Sequence, residues 1–103
     1  MSDTPQWIYV LRLTRPEMGP APSEREMEIV GRHFAYLKDA HERDETVLLG
    51  RCEDFAFGIV IFEAPDEHAA REFMLNDPAV AEGVMTAELH PYRVALMRGE
   101  RID

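Results

Sequence analysis

Two segments of this chain, "QWIYVLRL" at 6–13 and "FGIVIFEA" at 57–64, are rich in aromatic and β-branched residues and apolar on both of their alternating faces. In the first, Trp7, Tyr9 and Leu11 alternate with Ile8 and Val10. In the second, Phe57, Ile59 and Ile61 alternate with Val60 and Phe62. An amphipathic strand can leave its polar face in water, whereas strands of this kind are interior strands that need cover above and below. Whatever else the sequence builds must supply those covers.

The first cover is helical. Ser23 and Glu26 form a Ser-x-x-Glu capping box, and the helix it starts is expected to run to about Arg43. Wound at 3.6 residues per turn, "MEIVGRHFAYLKDAH" at 27–41 puts Met27, Val30, Phe34 and Leu37 on one side, with Ile29 and Ala40 extending the stripe. Arg25, Glu28, Arg32, Asp39 and Glu42 mostly take the opposite side. His33 falls inside the apolar arc, between Ile29 and Leu37, and so points inward or toward a rim.

Asp66 caps a second, shorter helix, "EHAAREFML", with Ala70, Phe73 and Met74 on its inner face. "NDP" at 76–78 breaks it and Gly83 ends a short turn. "TVLLGRC" at 46–52 reads as the second strand, joined to the third by "EDFA" as a hairpin. "VMTAELHPYRVALM" at 84–97 is the last strand, with an edge or bulge at Pro91.

The order is β-α-β-β-α-β. Right-handed crossovers turn it into a ferredoxin-like α+β sandwich, a four-stranded antiparallel sheet with two helices on one face. At 103 residues the protein is expected to form a single domain, 1–103, with "TRPEMGPAPS" at 14–23 as a loop between its first strand and first helix. Two helices cover only one face of the sheet. The cheapest cover for the other is the same sheet of a second copy, so a homodimer is expected.

Composition excludes several partners. A net charge of −9 with no basic stripe repels nucleic acid and anionic membrane surfaces. Cys52 is the sole cysteine, so no internal disulfide forms; with no long apolar run or amino-terminal signal, a cytoplasmic location is expected. There is no His-x-x-x-His, cysteine pair or glycine-rich phosphate loop, and the expectation is no metal and no cofactor.

The helix, the "FGIVIFEA" strand, "AAREFMLNDPAVAEGV" and the closing "LHPYRVAL" together resemble the YCII-related (YciI-like) family of small dimeric α+β proteins, over roughly residues 7–97. The helix histidine and the "NDPAVAEGV" segment carry the resemblance most specifically. It implies a dimeric α+β barrel arrangement and an active-site dyad carried over onto His33 and Asp77. One class in that family is a cofactor-free dehydrochlorinase acting on a chlorinated hydroxyquinol. The sequence departs from the family where a glycine-proline often follows the second strand: here Gly50 precedes Arg51, Cys52 and Glu53, and the pocket wall there is not carried over.

The topology favours the pair, because antiparallel helices bring the end of the second near the first half of the helix that carries His33. A carboxylate on one imidazole nitrogen fixes the tautomer and leaves the other free for general acid/base work near neutral pH. The plain alternatives are a rim histidine bonded to a backbone carbonyl and an Asp77 that caps Pro78 at N1. Capping and catalysis can coexist.

Tyr9, Arg12 and His90 are candidate substrate contacts. His41 and His68, near helix ends, read as structural, and Cys52 lacks a partner for nucleophilic or redox work. Two readings stay open: a cofactor-independent lyase or isomerase acting on a small molecule, aromatic ones included, and a non-catalytic binding or regulatory module that holds a small ligand in the same pocket.

Overall fold

A computed structural model describes residues 3–99. The strands are β1 (Gln6–Leu13), β2 (Thr46–Arg51), β3 (Gly58–Glu63) and β4 (Met85–Tyr92); the helices are α1 (Glu24–Glu42), α2 (Glu67–Leu75) and α3 (Pro78–Ala81). A single 3-10 turn, Pro16–Met18, interrupts the loop before α1. The sheet is antiparallel in the order β2-β3-β1-β4, so the two doubly apolar strands are its interior pair, as their composition requires.

Register sorts the two faces. Trp7 lies between Phe62 and Pro91, and Tyr9 between Val60 and Leu89, on the side that meets the helices. Trp7, Tyr9, Leu11, Val60 and Phe62 form one core there with Leu37 of α1 and Ala70 and Met74 of α2. A second cluster joins Ile29 and Ala79 to Met18 and Val84. On the other face Ile8 sits beside Ile61 and His90, and Val10 beside Ile59 and Glu88. Pro91 occupies the edge strand, where a missing N–H costs no ladder bond.

The helix seam differs from the sequence expectation. Glu26, Ile29, Leu37 and Ala40 are the buried residues of α1, whereas Met27 is 54% and Phe34 59% exposed. At about 100° per residue the buried set is centred on His33, and Met27 and Phe34 lie about 100° or more to one side. An acidic residue can join the seam because it is fully bonded. Glu26 closes the capping box, its backbone N–H donating to Ser23 Oγ at 3.1 Å and its carboxylate accepting from Ser23 N–H at 2.8 Å. Arg15 then donates twice to the same carboxylate, at 2.9 and 2.6 Å. The 14–23 loop is thereby latched to the start of α1.

Three further boundaries move. A short third helix, α3, stands where the sequence suggests only a turn, because Asp77 and Pro78 supply the cap and first residue of a new helix. The β2–β3 hairpin spans 52–57, longer than "EDFA", and is closed by Cys52 N–H donating to Phe57 O at 2.8 Å. β4 ends at Tyr92, after which Val94 N–H bonds the Gln6 side-chain oxygen. Among the described residues no helix is long and apolar enough to cross a membrane.

Candidate active site

Asp77, completely buried between α2 and α3, is the centre of a converging set of donors. Its Oδ1 accepts the Ala79 N–H at 3.0 Å, which is the cap of α3, and lies 2.7 Å from His33 Nδ1. Its Oδ2 accepts the Tyr9 hydroxyl at 2.8 Å. One oxygen therefore both caps the helix and holds the imidazole, and the other is taken by β1. Two donors, the Ala79 N–H and the Tyr9 hydroxyl, together with the imidazole give this buried carboxyl group the full set of hydrogen-bond partners that burial demands.

Tyr9 stands on the helix-facing side of β1, edge-on to Phe62 and Phe73 at centroid distances of 5.6 and 6.1 Å. Burial, and then the adjacent Asp77 charge, push its phenol well above the ordinary range, so it remains a donor at any physiological pH. Tyr36 of α1 donates to Phe73 O at 2.7 Å, tying α1 to α2 beside the same site; burial first, then Asp77, raises its phenol to about 12.

A carboxylate against Nδ1 favours the tautomer with its proton on that nitrogen, which leaves the lone pair on Nε2. None of the described residues bonds Nε2, and the His33 side chain is 14% exposed. The ring lines a cavity of about 330 Å³ between α1 and the β2–β3 end of the sheet. Its walls are mainly apolar, with Leu11 and Leu13 from β1, Val30 and Phe34 from α1, Leu49 from β2 and Met85 from β4. Space for it comes partly from Gly58, which sits on the helix-facing side between Leu11 and Arg51 and projects no side chain. A Cβ there would meet Gly50 O at 3.2 Å.

The other sequence candidates lie elsewhere. Arg12 and His90 project from the opposite sheet face, Arg12 over the Phe57 ring at 6.0 Å and His90 against Glu88, and neither lines the cavity. His41 bonds the Thr46 hydroxyl at 2.6 Å, and His68 is exposed beside Glu72. Cys52 is half-buried at the start of the hairpin. Among the described residues no group of three or more His, Cys, Asp or Glu is arranged to hold a metal ion.

Arg51 is not among those candidates, yet it lines the cavity together with Phe55 and Phe57. Strict alternation from the buried Thr46 would turn Arg51 away from the helices. A bulge between Thr46 and Leu48 shifts the register, so Leu49 opposite Val60 and Arg51 opposite Gly58 face the helix side instead. The sequence signal is the polar break after Gly50, which offers no means of assigning its face.

Comparison with known proteins agrees with this architecture. Residues 9–91 match the family model of the YCII-related domain. No curated protein matches the sequence. Among solved structures, 5-chloro-2-hydroxyhydroquinone dehydrochlorinase from Burkholderia phenoliruptrix AC1100, in complex with 2,5-dihydroxybenzoquinone, is similar at 18% identity and a TM-score of 0.63, covering 84% of this chain and 93% of that one. At that identity the likeness speaks for the fold, while the family match spans the sheet and both ends of the His33–Asp77 contact, so the chain belongs to the YCII-related family.

Proposed function

We propose that this protein is a small cofactor-independent enzyme of lyase or isomerase type, in which His33, held by Asp77, moves a proton on a small ring compound. The observation that carries the reading is the division of the imidazole: Nδ1 is fixed on a buried carboxylate, Nε2 has no partner among the described residues, and the ring belongs to the wall of an otherwise mainly apolar cavity. In the lyase mode a carbon-bound proton passes to Nε2, the C–H electron pair forms the new double bond, and the leaving group departs with its own pair. In the isomerase mode the proton is returned at a different carbon. Asp77 stabilises the imidazolium formed in either case, and Tyr9 holds Asp77.

The similar dehydrochlorinase indicates which chemistry to try first. Chloride release from a chlorinated hydroxyhydroquinone reads elimination, and solvent-deuterium uptake into the unchlorinated ring reads proton transfer alone. The expected result is turnover that His33→Ala lowers by about 100-fold or more, with Asp77→Asn costing less because an amide can orient the ring but not balance its charge. Binding without either reaction in the wild type would assign the cavity to ligand holding only.

The same reading includes a homodimer formed through the sheet face that no helix covers, with Arg12 and His90 at that contact, and a cytoplasmic location in keeping with the lone Cys52.

A further inference from the structure

Among the described residues that line the cavity, Arg51 carries the one fixed positive charge. Twenty acidic residues face eleven Lys and Arg; Arg15, Arg25, Arg32, Arg43 and Arg71 pair with carboxylates, whereas Arg12, Arg51, Arg93 and Arg98 do not among the described residues, and of these four Arg51 lines the cavity. Arg51 has no carboxylate partner among the described residues. Its polar contact is a 3.3 Å bond to the carbonyl of its neighbour Cys52, and its guanidinium lies 4.7 Å from the centroid of the Phe55 ring.

That ring is itself held. Phe55 takes a left-handed backbone conformation, φ 66°, which is uncommon for a bulky residue. The 14–23 loop approaches it so closely that a Cβ on Gly19 would stand 2.7 Å from Phe55 Cγ. Loop and guanidinium both pack against this ring beside the cavity, and stacking on an aromatic face orients an arginine without using its hydrogen-bond fork.

We propose that Arg51 is the anion-binding group of the His33 cavity, and that the cavity takes a planar ring compound bearing one negative charge, a phenolate or ring carboxylate. The inference rests on the proposed function, since it orients the same substrate against the same imidazole. The charged oxygen sits on the guanidinium and the ring lies among Phe34, Phe55 and Phe57. A protein of net charge −9 repels small anions at long range, so binding one requires a local, unpaired cation of this kind. The volume, about 330 Å³, lies near the lower end of the range of about 300–1,000 Å³ for small-molecule sites and suits a single ring. The arrangement also serves the chemistry: when Nε2 takes a proton from a carbon of the ring or from one attached to it, the released electron pair delocalises toward the oxygen that Arg51 holds.

The probes are benzoate, its neutral isostere benzamide, and cyclohexanecarboxylate, titrated into the full-length protein while the Arg51 Nε–H and cavity-wall amide signals are followed by NMR. Benzoate should bind at millimolar concentration, with benzamide and cyclohexanecarboxylate each weaker, the amide by about tenfold or more. Arg51→Gln should erase the preference for benzoate over benzamide. Arg51→Lys, which keeps the charge without the planar fork, should retain part of it and serves as the second variant if Arg51→Gln fails to fold. Benzoate binding no tighter than benzamide in the wild type, including no binding by either, would overturn the proposal, as would a preference that survives Arg51→Gln. The proton-transfer reading fails separately: unchanged turnover in His33→Ala, with benzoate selectivity still dependent on Arg51, sinks that reading and leaves the anion site standing.

Discussion

The hydroxyl of Tyr9 donates to Oδ2 of Asp77 at 2.8 Å, joining the centre of the sheet to the turn between α2 and α3 across 68 residues of sequence. The carboxylate is fully buried, and no Lys or Arg reaches it among the hydrogen bonds and ion pairs of the described residues. Its charge is balanced by directed dipoles and by the imidazole. A carboxylate held this way cannot rotate without giving up either the cap of α3 or the tyrosine, so the orientation of His33 is inherited from the fold itself.

Tyr9→Phe isolates that relationship, because it removes one hydroxyl and leaves ring volume unchanged. Oδ2 loses its donor in a dry site, which should cost about 1–3 kcal/mol of stability by urea unfolding. Turnover should fall through misplacement of Asp77, with the fold retained. A variant as stable as the wild type would show that water replaces the hydroxyl and that the site is wetter than its burial indicates.

Acid stability tests the latch on α1. The Arg15 guanidinium, followed by the Ser23 backbone N–H, lowers the Glu26 carboxyl from its ordinary 4.5 to about 2. A carboxyl depressed in the folded state stabilises it fully above its unfolded value, and that contribution disappears as pH falls through the folded one. Wild-type stability should therefore drop between about pH 4.5 and about pH 2 more steeply than that of Glu26→Gln, which lacks the group. Parallel pH profiles for the two proteins would refute the latch.

Much of this molecule can be read from its sequence, and the exceptions share a cause. Strand order, the Ser23–Glu26 box, the Asp66 and Asp77 caps and the two-sided interior strands follow from local patterns that the tertiary structure keeps. The helix phase is misjudged from periodicity because Glu26 looks like a surface residue until Arg15, eleven residues earlier, satisfies it. Arg51 escapes notice because a bulge, invisible in the residue types, reverses its face. The Tyr9–Asp77 bond joins residues that no periodicity relates. Local grammar locates the histidine; only packing shows what surrounds it.

Gly19→Ala probes the packing of the loop on the Phe55 ring. The φ of Gly19, −58°, is open to any residue, so what the position requires is the absent Cβ rather than backbone freedom. A methyl group 2.7 Å from Phe55 Cγ must displace the ring or lift the loop. The substitution should destabilise the protein by about 1–3 kcal/mol, as overpacking does, measured by chemical denaturation. In the double variant with Phe55→Leu the penalty should shrink, a coupling that separate sites would not produce.

The last prediction concerns the sheet face without helices. Ile8 and Val10 of β1 stand there beside Ile61 and Ile59 of β3, while Leu48 and Tyr92 are each more than two-fifths exposed (41% and 45%). Apolar residues gathered on one face of a copy favour a contact between two, and a two-fold axis lets the same residues serve both sides. Sedimentation at micromolar concentration should give a dimer burying more than roughly 1,000 Å² in total, the scale of a specific interface. Val10→Glu is the discriminating variant. Val10 lies between Ile59 and Glu88 at the middle of this face, its side chain turned away from the Tyr9 core, so a carboxylate there meets the second copy and leaves the helix-covered side intact. The expected outcome is a folded monomer, with helical circular dichroism preserved. A wild type that sediments as a monomer, or a Val10→Glu protein that remains dimeric, would require another cover for that face.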